Sequence, residues 1–427
     1  MFKSVIKYLL VFFVSIAFVY QFQGTISKLR LIPTGFLKLI FPEEKKEPTI
    51  DKEVFSPKTE IINANSFEVH VSELEYFSGY NKNKDGTMHA QHKSSALYAS
   101  ITNQETFLEL YTRDGFLITK DGITKFDLPK NYDSHNSQGG IRGIFFIDEE
   151  VYGFMATKKI GCQNMSLINL SRNVEIFDTD CLPDFQGIHY DGVGGASIHN
   201  EEIILLSVGA PTNNSQPIRD LAQDNDSFYG KIISINKNNI KNYLKGQDDV
   251  KTEIYTKGHR NPQGLAKIED TFFSAEHGPK GGDEINLLKK SNNYGWPIAS
   301  YGTKYESISV ASYKLNHSKY SFKEPLMQFT PSIAISDLTN CTEVMIEYYE
   351  REGCLIGTTL RDQSLIVLLL SEDLNRVIGY EKIEFGQRLR HIAKKKNGEL
   401  YYENDGSIYV TSDSGAVLKI TFKFIKE

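Results

Sequence analysis

The chain is poor in proline, has no low-complexity run and shows no strong excess of charge of either sign. Its 13 prolines among 427 residues leave little room for disorder after about the first sixty residues. The net charge of −6, with both signs interspersed, argues against a nucleic-acid-binding surface. None of the four cysteines forms a Cys-x-x-Cys pair, which argues against a structural zinc site.

A long segment with the 3.6-residue period of an amphipathic helix is also absent after about residue 65. Short apolar runs alternate instead with turn residues, as in Ile203–Val208 and Ser364–Leu370. The dipeptide Asn397-Gly398 is typical of a tight hairpin. About two dozen such runs make six four-stranded blades, whereas a single β-sandwich is far smaller than this region. The pattern therefore predicts an all-β chain folded as a six-bladed β-propeller.

One apolar run, Tyr8–Tyr20, stands at the N-terminus behind Lys3 and Lys7. A basic flank before a short apolar stretch is typical of an export signal whose basic end stays in the cytoplasm. No convincing small-x-small cleavage site follows the run, which favours an uncleaved anchor over a cleaved signal peptide. A buried helix is the alternative that needs no membrane.

These features divide the chain into a signal anchor or signal peptide at 1–24, a linker at 25–62 and the propeller at 63–427. The linker assignment follows from the charged stretch Glu43–Lys52, which contains Pro48. We therefore expect the propeller on the periplasmic or cell-surface side of a membrane, tethered by its N-terminal segment.

The four cysteines fit an exported protein, in which an even count suggests disulfides. Pairing them in sequential order, Cys162 with Cys181 and Cys341 with Cys354, closes two short loops. Four free, buried thiols are the alternative.

One region carries far more polar and glycine residues than turn formation requires. It comprises Gly258–Gly264, Ala275–Asn286 and Asn292–Pro297. Arg260 and Asn261 offer a guanidinium fork and an amide, which suit carboxylates and carbonyls. The donors that suit a calcium ion are the backbone carbonyls of Gly278 and Pro279 and the carboxylates of Asp283 and Glu284. A structured loop with caps and surface ion pairs is the alternative.

The order of these motifs resembles the signature of the soluble glucose/sorbosone and aldose sugar dehydrogenases, six-bladed propellers that use pyrroloquinoline quinone (PQQ). The shared features are the Arg-Asn pair, the Gly-Pro loop, the Asp-Glu-Ile-Asn run and the Asn-Tyr-Gly-Trp-Pro turn. Weaker matches occur at Gln138–Ile144, Ala222–Asp224, Gly230–Ile233, Leu360–Leu365 and Gln387–His391. The resemblance covers the chain from about residue 65 to the C-terminus.

The resemblance implies that PQQ lies on the propeller axis. The residues that would contact it are Arg260, Asn261, Gln263, Arg361, Arg388 and Arg390. It also implies that a calcium ion held by the Gly278 and Pro279 carbonyls polarises the quinone. Arg388 and Arg390 are two residues apart and share one strand face, although a solvated strand face explains such a pair equally well.

The chain departs from the family pattern at the catalytic base. The family has Asp-His followed by Gly and Arg on an inner strand, whereas this chain reads Asp191-Gly192-Val193-Gly194-Gly195-Ala196. The candidate bases are therefore Asp191 and His189. His189 has an unfavourable offset on a regular strand, although the glycines permit a bulge that re-aims it.

The sequence thus favours a PQQ- and calcium-dependent oxidoreductase with an altered base, acting on an aldose or related sugar alcohol. Its expected partners are a small-molecule sugar and an external electron acceptor. We also expect the N-terminal segment to bind a membrane, and we expect no nucleic-acid partner. A non-catalytic propeller that binds a sugar or a protein is the alternative. A hydrolytic propeller such as a calcium lactonase is a third, more remote, possibility.

Overall fold

The computed structural model describes residues 60–64, 66–74, 77, 94–102, 105–134, 139–182, 190–210, 216–247, 249–304 and 313–424. The strands of the first half are β1 Glu60–Asn63, β2 Phe67–Glu73, β3 Ser94–Thr102, β4 Glu105–Thr112, β5 Phe116–Thr119, β6 Gly122–Lys125, β7 Ile141–Ile147, β8 Glu150–Lys159, β9 Cys162–Asn169, β10 Val174–Asp178, β11 Gly194–His199, β12 Ile203–Val208 and β13 Lys231–Asn236.

The strands of the second half are β14 Thr252–Lys257, β15 Pro262–Ile268, β16 Thr271–Glu276, β17 Asp283–Leu288, β18 Met327–Phe329, β19 Ile335–Asn340, β20 Cys354–Thr359, β21 Ser364–Leu370, β22 Val377–Glu384, β23 Leu389–Ile392, β24 Lys394–Lys395, β25 Ile408–Ser412 and β26 Val417–Phe424. The helices in the described part of the chain are short: α1 Gln216–Asp220, α2 Lys237–Tyr243, α3 Glu343–Tyr349 and the 3₁₀ turn His317–Tyr320.

The strands form six antiparallel sheets, which confirms the predicted six-bladed propeller. Blades 1 to 5 run in chain order as β3–β6, β7–β10, β11–β14, β15–β18 and β19–β22. Blade 6 combines β23, β25 and β26 with β2 and β1 from the other end of the chain. The short β24 adds a parallel pairing to the inner edge of blade 1. Strands from both ends of the chain therefore close the ring.

The inner strands of the six blades are β3, β7, β11, β15, β19 and β23. These strands contact one another in sequence around the ring, and β23 contacts β3. Residues at their ends are consequently brought to one central axis, although they are far apart in the sequence.

Apolar side chains form the layers between blades. The cluster of Phe145, Phe154 and Leu167 from blade 2 with Leu206 and Ile233 from blade 3 is fully buried. Equivalent clusters fill the other five interfaces between neighbouring blades. Both faces of each blade are covered, which explains why strands such as β21 are apolar almost throughout.

Both predicted disulfides are confirmed. Cys162 and Cys181 bridge the outer hairpin of blade 2 with a Cα–Cα distance of 5.5 Å. Cys341 and Cys354 span the loop that carries α3, with a Cα–Cα distance of 5.3 Å.

The predicted anchor or signal segment at 1–24 and nearly all of the linker at 25–62 lie outside the described residues. Among the residues that are described, no helix has both the length and the apolar composition needed to cross a membrane.

Candidate functional site

A narrow cavity of about 40 Å³ lies where the inner strands of the six blades meet. Each inner strand contributes lining residues, among them Ser95 of β3, Arg142 of β7, Gly194 of β11, Gln263 of β15, Asp337 of β19 and His391 of β23. Burial opposes ionisation of Asp337, yet Lys394 and His391 lower the pKa of its carboxyl to about 2. The cavity lining therefore combines charged and polar groups with apolar residues such as Leu97 and Ile144.

The predicted residue Arg260 is buried immediately before β15. Its backbone N–H donates to Glu276 Oε2 at 2.7 Å, and its Nη1 donates to the His277 carbonyl at 2.9 Å. The guanidinium carbon lies 5.4 Å from the ring centroid of Trp296. The carbonyl and aromatic contacts thus hold the guanidinium in one orientation, while Glu276 holds the adjoining backbone.

Asn261 and Gln263, two of the predicted cofactor-binding residues, contact each other. Asn261 Oδ1 accepts hydrogen bonds from Gln263 Nε2 at 2.6 Å and from the Gly194 N–H at 3.3 Å. Asn261 therefore links the inner strand of blade 4 to the glycine-rich start of β11, where the candidate base lies.

His277 is a site residue that the sequence reasoning did not select, although it belongs to the Ala275–Asn286 motif. Its Nε2 donates to the Ile335 carbonyl at 2.8 Å, and Asn261 Nδ2 lies 3.4 Å from its Nδ1. Burial lowers the pKa of the imidazole, and the nearby Arg260 and Arg390 lower it further against the opposing effect of Asp283. His277 is thus a neutral polar group between two predicted cofactor-binding arginines.

Arg388 and Arg390 share a carboxylate partner that sequence reasoning missed, Asp413 in the turn after β25. Arg388 Nε donates to Asp413 Oδ2 at 2.9 Å. Arg390 donates from Nε to Oδ1 and from Nη2 to Oδ2, the latter at 2.8 Å. Arg390 lies in β23 and Arg388 directly precedes this strand; Arg390 is buried while Arg388 remains partly exposed.

Two further arginines, Arg113 and Arg142, lie beside Arg390. Burial lowers the pKa of Arg113 well below its usual value, and Arg142 and Arg390 add like-charge repulsion. Burial likewise lowers the pKa of Arg142 to about 10, which Asp191 opposes and Arg390 reinforces. We call Arg113, Arg142, Arg388 and Arg390 with Asp413 the axial arginine cluster.

Asp191 and Gly192 lie in a turn before β11 rather than on the inner strand itself. Gly192 has a φ of 83°, in the left-handed region that favours glycine. A register irregularity follows between Gly194 and Ser197, which agrees with the bulge that the glycines permit. Asp191 is exposed, and His189, the other predicted base, lies outside the described residues.

Asp283 holds the loop that carries Gly278 and Pro279. Its Oδ1 accepts from the Gly278 N–H at 2.9 Å, and its Oδ2 accepts from Ser332 Oγ at 2.8 Å and the Ile333 N–H at 3.0 Å. The hydrogen bonds to both carboxylate oxygens position this loop, and they leave the backbone carbonyls as the oxygen donors suited to a hard cation.

Glu284 points to the opposite face of β17 from Asp283 and lies within blade 4. Asn286 Nδ2 is 3.4 Å from its Oε2, and His317 Nε2 is 3.6 Å from its Oε1. Burial and the neighbouring Glu276 raise the pKa of Glu284 well above its usual value. Its environment therefore favours the protonated form of the carboxyl.

Arg361 is not brought into the cluster. It is exposed in the turn after β20, where its backbone N–H donates to the Ile333 carbonyl at 3.1 Å. No hydrogen bond or ion pair links its side chain to the axial arginines within the described ranges.

The arginine-rich axis and the polar turn before β11 agree with one family. The model of the family described as Glucose / Sorbosone dehydrogenase matches residues 166–415. The chain belongs to the glucose/sorbosone dehydrogenase family. The matched region includes β11, β15 and β23, which carry Gly194, Gln263 and Arg390.

Two curated relatives of this glucose/sorbosone dehydrogenase family member match part of the chain. An uncharacterized protein of Synechocystis sp. is 31% identical over 264 residues, covering 57% of this chain and 62% of the relative. The aldose sugar dehydrogenase YliI of Escherichia coli is 29% identical over 221 residues, covering 51% of this chain and 56% of the relative. The chain thus spans less than two thirds of the length of either relative.

Solved structures share the propeller fold. The soluble aldose sugar dehydrogenase of Escherichia coli in the apo-form superimposes with a TM-score of 0.61 at 21% identity, over 83% of this chain and 99% of that chain. The PQQ-bound aldose sugar dehydrogenase of Streptomyces coelicolor gives a TM-score of 0.51 at 17% identity, over 86% of this chain and 99% of that chain. At these identities the likeness shows the fold.

Proposed function

We propose that the protein is a PQQ- and calcium-dependent oxidoreductase that oxidises the hemiacetal or a related alcohol group of a sugar. The observation that carries this proposal is the axial arginine cluster, in which Arg388 and Arg390 donate to Asp413 while Arg113 and Arg142 interact electrostatically with Arg390. Guanidinium groups gathered at one place create a positive potential that attracts an anionic ligand. PQQ carries three carboxylates and two quinone oxygens, so its chemistry fits these donors.

The residues that would hold the cofactor come from two inner strands, β15 and β23, or from the residues just before them. Arg388 offers an exposed guanidinium edge for a carboxylate, while Arg390 is oriented by Asp413. Arg260, Asn261 and Gln263 present a guanidinium and two amides from blade 4. When bound, PQQ supplies a hydride acceptor for an alcohol carbon.

A calcium ion is proposed at the Gly278 and Pro279 carbonyls. Asp283 supports this site as a positioning residue, because its hydrogen bonds to Gly278 and the 332–334 segment fix the loop. Backbone carbonyl oxygens are hard donors of the type that calcium prefers. A ligand at Glu284, the alternative, would place the ion on the other face of β17.

Asp191 is the proposed proton acceptor, with His189 the second candidate. The turn at Asp191 and Gly192 lies against the Arg260 end of β15, since a Cβ on Gly209 would lie 2.0 Å from the Gly192 carbonyl oxygen and 3.0 Å from that of Arg260. A base in this turn is therefore close to the proposed cofactor contacts.

An external acceptor would reoxidise the cofactor. The two disulfides support an extracytoplasmic location, and the N-terminal segment is proposed as the membrane tether.

Reconstitution tests the proposal directly. The purified chain is titrated with PQQ in the presence of calcium or of EDTA, and binding is followed by absorbance and by calorimetry. We expect saturable, calcium-dependent binding, followed by bleaching or reduction of an added dye when an aldose is supplied. Binding without sugar oxidation would favour the alternative of a non-catalytic propeller that binds a sugar or a protein. The replacement of the family histidine by Gly192 also favours that alternative. No calcium-dependent binding would contradict the proposed function.

A further inference from the structure

We propose that Gln223 is a positioning residue of the cofactor site, because it fixes Trp296, against which the guanidinium of Arg260 lies. The inference rests on the proposed function in taking Arg260 as a contact of PQQ. Gln223 belongs to the Ala222–Asp224 motif, which contributes no residue to the proposed cofactor contacts. It lies in the connection between β12 and β13 of blade 3, whereas Arg260 and Trp296 belong to blade 4.

The side-chain amides of Gln223 and Asn293 form a reciprocal pair. Gln223 Nε2 donates to Asn293 Oδ1 at 3.1 Å, and Asn293 Nδ2 donates to Gln223 Oε1 at 2.7 Å. Asn293 Oδ1 also accepts from the Gly295 N–H at 3.0 Å. Since each amide satisfies a donor and an acceptor of the other, the pair joins blade 3 firmly to the turn that leads to Trp296.

Gln223 also holds the backbone of Trp296 directly. Its Nε2 donates to the Trp296 carbonyl at 2.6 Å, and the Trp296 N–H donates to the Gly258 carbonyl at 3.0 Å. The carbonyl acceptor fixes which end of the Gln223 amide carries the nitrogen. The backbone of Trp296 is therefore held on one side by blade 3 and on the other by the segment that leads to Arg260.

The backbone before Arg260 is packed against the same amide pair. Gly258, two residues before Arg260, has a φ of 79°. A Cβ at Gly258 would lie 2.2 Å from Asn293 Oδ1 and 3.0 Å from Gln223 Nε2, so only glycine permits this approach. The amide pair is thus in contact with the start of the segment that carries the arginine.

The ring of Trp296 is a surface against which the Arg260 guanidinium lies. Its centroid is 5.4 Å from the guanidinium carbon, and the Tyr313 ring packs against it at a centroid distance of 5.2 Å. Trp296 is only 6% exposed, so its ring cannot move far unless its backbone moves. A shift of that backbone would change the direction in which Arg260 presents its donors, and a ligand bound by a preformed arrangement would lose affinity.

A double-mutant cycle on PQQ binding tests the proposal. The variants are Gln223→Met, which keeps the length of the side chain and removes its hydrogen bonds, Arg260→Gln, and the double variant. Gln247→Met, at an exposed position after α2, is the matched control. PQQ affinity in calcium is measured by calorimetry, and thermal unfolding verifies that each variant is folded. Gln223→Ala replaces Gln223→Met in the cycle if the methionine variant does not fold.

A second measurement needs no cofactor. Trp296 is the only tryptophan of the chain, so the quenching of tryptophan fluorescence by acrylamide reports its surroundings in the apo protein. The same four proteins and the control are compared.

We expect Gln223→Met to weaken PQQ binding about tenfold, the scale of one hydrogen bond to a charged group. In the Arg260→Gln background the same change should weaken binding by less than about twofold, because no arginine is left to position. Gln223→Met should also increase the acrylamide quenching of Trp296. Gln247→Met should behave as the wild-type protein in every measurement.

Unchanged PQQ affinity in Gln223→Met would overturn the proposal, and so would an equal loss of affinity in both backgrounds, because Gln223 would then act without Arg260. If the wild-type protein binds no PQQ, the proposed function fails, and the quenching of the apo proteins decides the inference instead. Quenching that Gln223→Met leaves unchanged, or raises equally with and without Arg260, would contradict it. An increase that depends on the presence of Arg260 would support it.

Discussion

Arg390 donates two hydrogen bonds to the two carboxylate oxygens of Asp413, and only 10% of its side chain is exposed. Arg388 shares the same carboxylate through one hydrogen bond, but 45% of its side chain remains exposed. Two arginines bound to one carboxylate therefore differ in role: Arg390 is part of a buried ion pair, whereas Arg388 is available to a ligand.

This difference predicts opposite outcomes for two alanine variants. Arg388→Ala should weaken PQQ binding by more than about 1.5 kcal/mol, the scale of a hydrogen bond to a charged group, and change stability by less than about 1 kcal/mol. Arg390→Ala should lower the free energy of unfolding by about 3 kcal/mol, because it leaves Asp413 buried without its main partner. Calorimetry and chemical denaturation measure the two effects. Equal loss of stability in both variants would contradict the assignment.

Replacing Gly192 by histidine, the residue of the family pattern, should destabilise the protein because of the backbone conformation at this position. The φ of 83° is strained for any residue with a Cβ, so Gly192→His should lower the free energy of unfolding by about 1–2 kcal/mol. Gly192→Asn is the matched control, because asparagine tolerates the left-handed region better and should be less destabilising. Urea denaturation of both variants checks this prediction, and an unchanged stability of Gly192→His would refute it.

Asp283→Asn should separate loop positioning from calcium ligation. The amide would direct a donor towards backbone N–H groups that now donate to the carboxylate, which costs about 1–3 kcal/mol of stability. We expect this loss in EDTA as well as in calcium, because it does not depend on a bound ion. Asp226→Asn, at an exposed position, serves as the control. A loss seen only in calcium would identify Asp283 as a ligand instead.

His199, at the end of β11, should make stability depend on pH. Burial, with smaller contributions from Lys237 and Lys394, lowers the pKa of its imidazole from 6.5 to about 3. The unfolded chain therefore binds the proton more tightly, so the stability is complete above pH 6.5 and decreases as the pH falls towards 3.

Between pH 7 and pH 5 the wild-type protein should lose about 2 kcal/mol more stability than His199→Gln, since each pH unit below 6.5 contributes about 1.4 kcal/mol. Denaturant titrations at both pH values measure the difference. Parallel pH profiles for the two proteins would show that His199 does not contribute.

The propeller and the motif residues of blade 4 could be predicted because their signals are local. Strand-length apolar runs and turn dipeptides indicate the blades, and Arg260, Asn261 and Gln263 are neighbours in the sequence as well as in space. Their mutual contacts needed no knowledge of how distant blades pack.

Other site residues depend on contacts between distant parts of the chain. Asp413 meets Arg390 only because β23 and β25 pair, and Arg113 approaches Arg142 only because blades 1 and 2 are neighbours in the ring. No spacing rule marks either residue. The left-handed turn at Gly192 was likewise hidden, since the sequence suggested a regular inner strand there.

The pairing of β2 with β26 also limits when the protein can fold during its synthesis. Blade 6 needs strands from residues 67–73 and 417–424, so its sheet remains incomplete until the last strand has left the ribosome. Until then β2 has an unpaired edge, and the apolar side chains Phe67, Val69 and Val71 lack the partners that bury them in the finished ring. Until β26 has been made, the growing chain therefore exposes an unpaired strand edge that can pair with other chains.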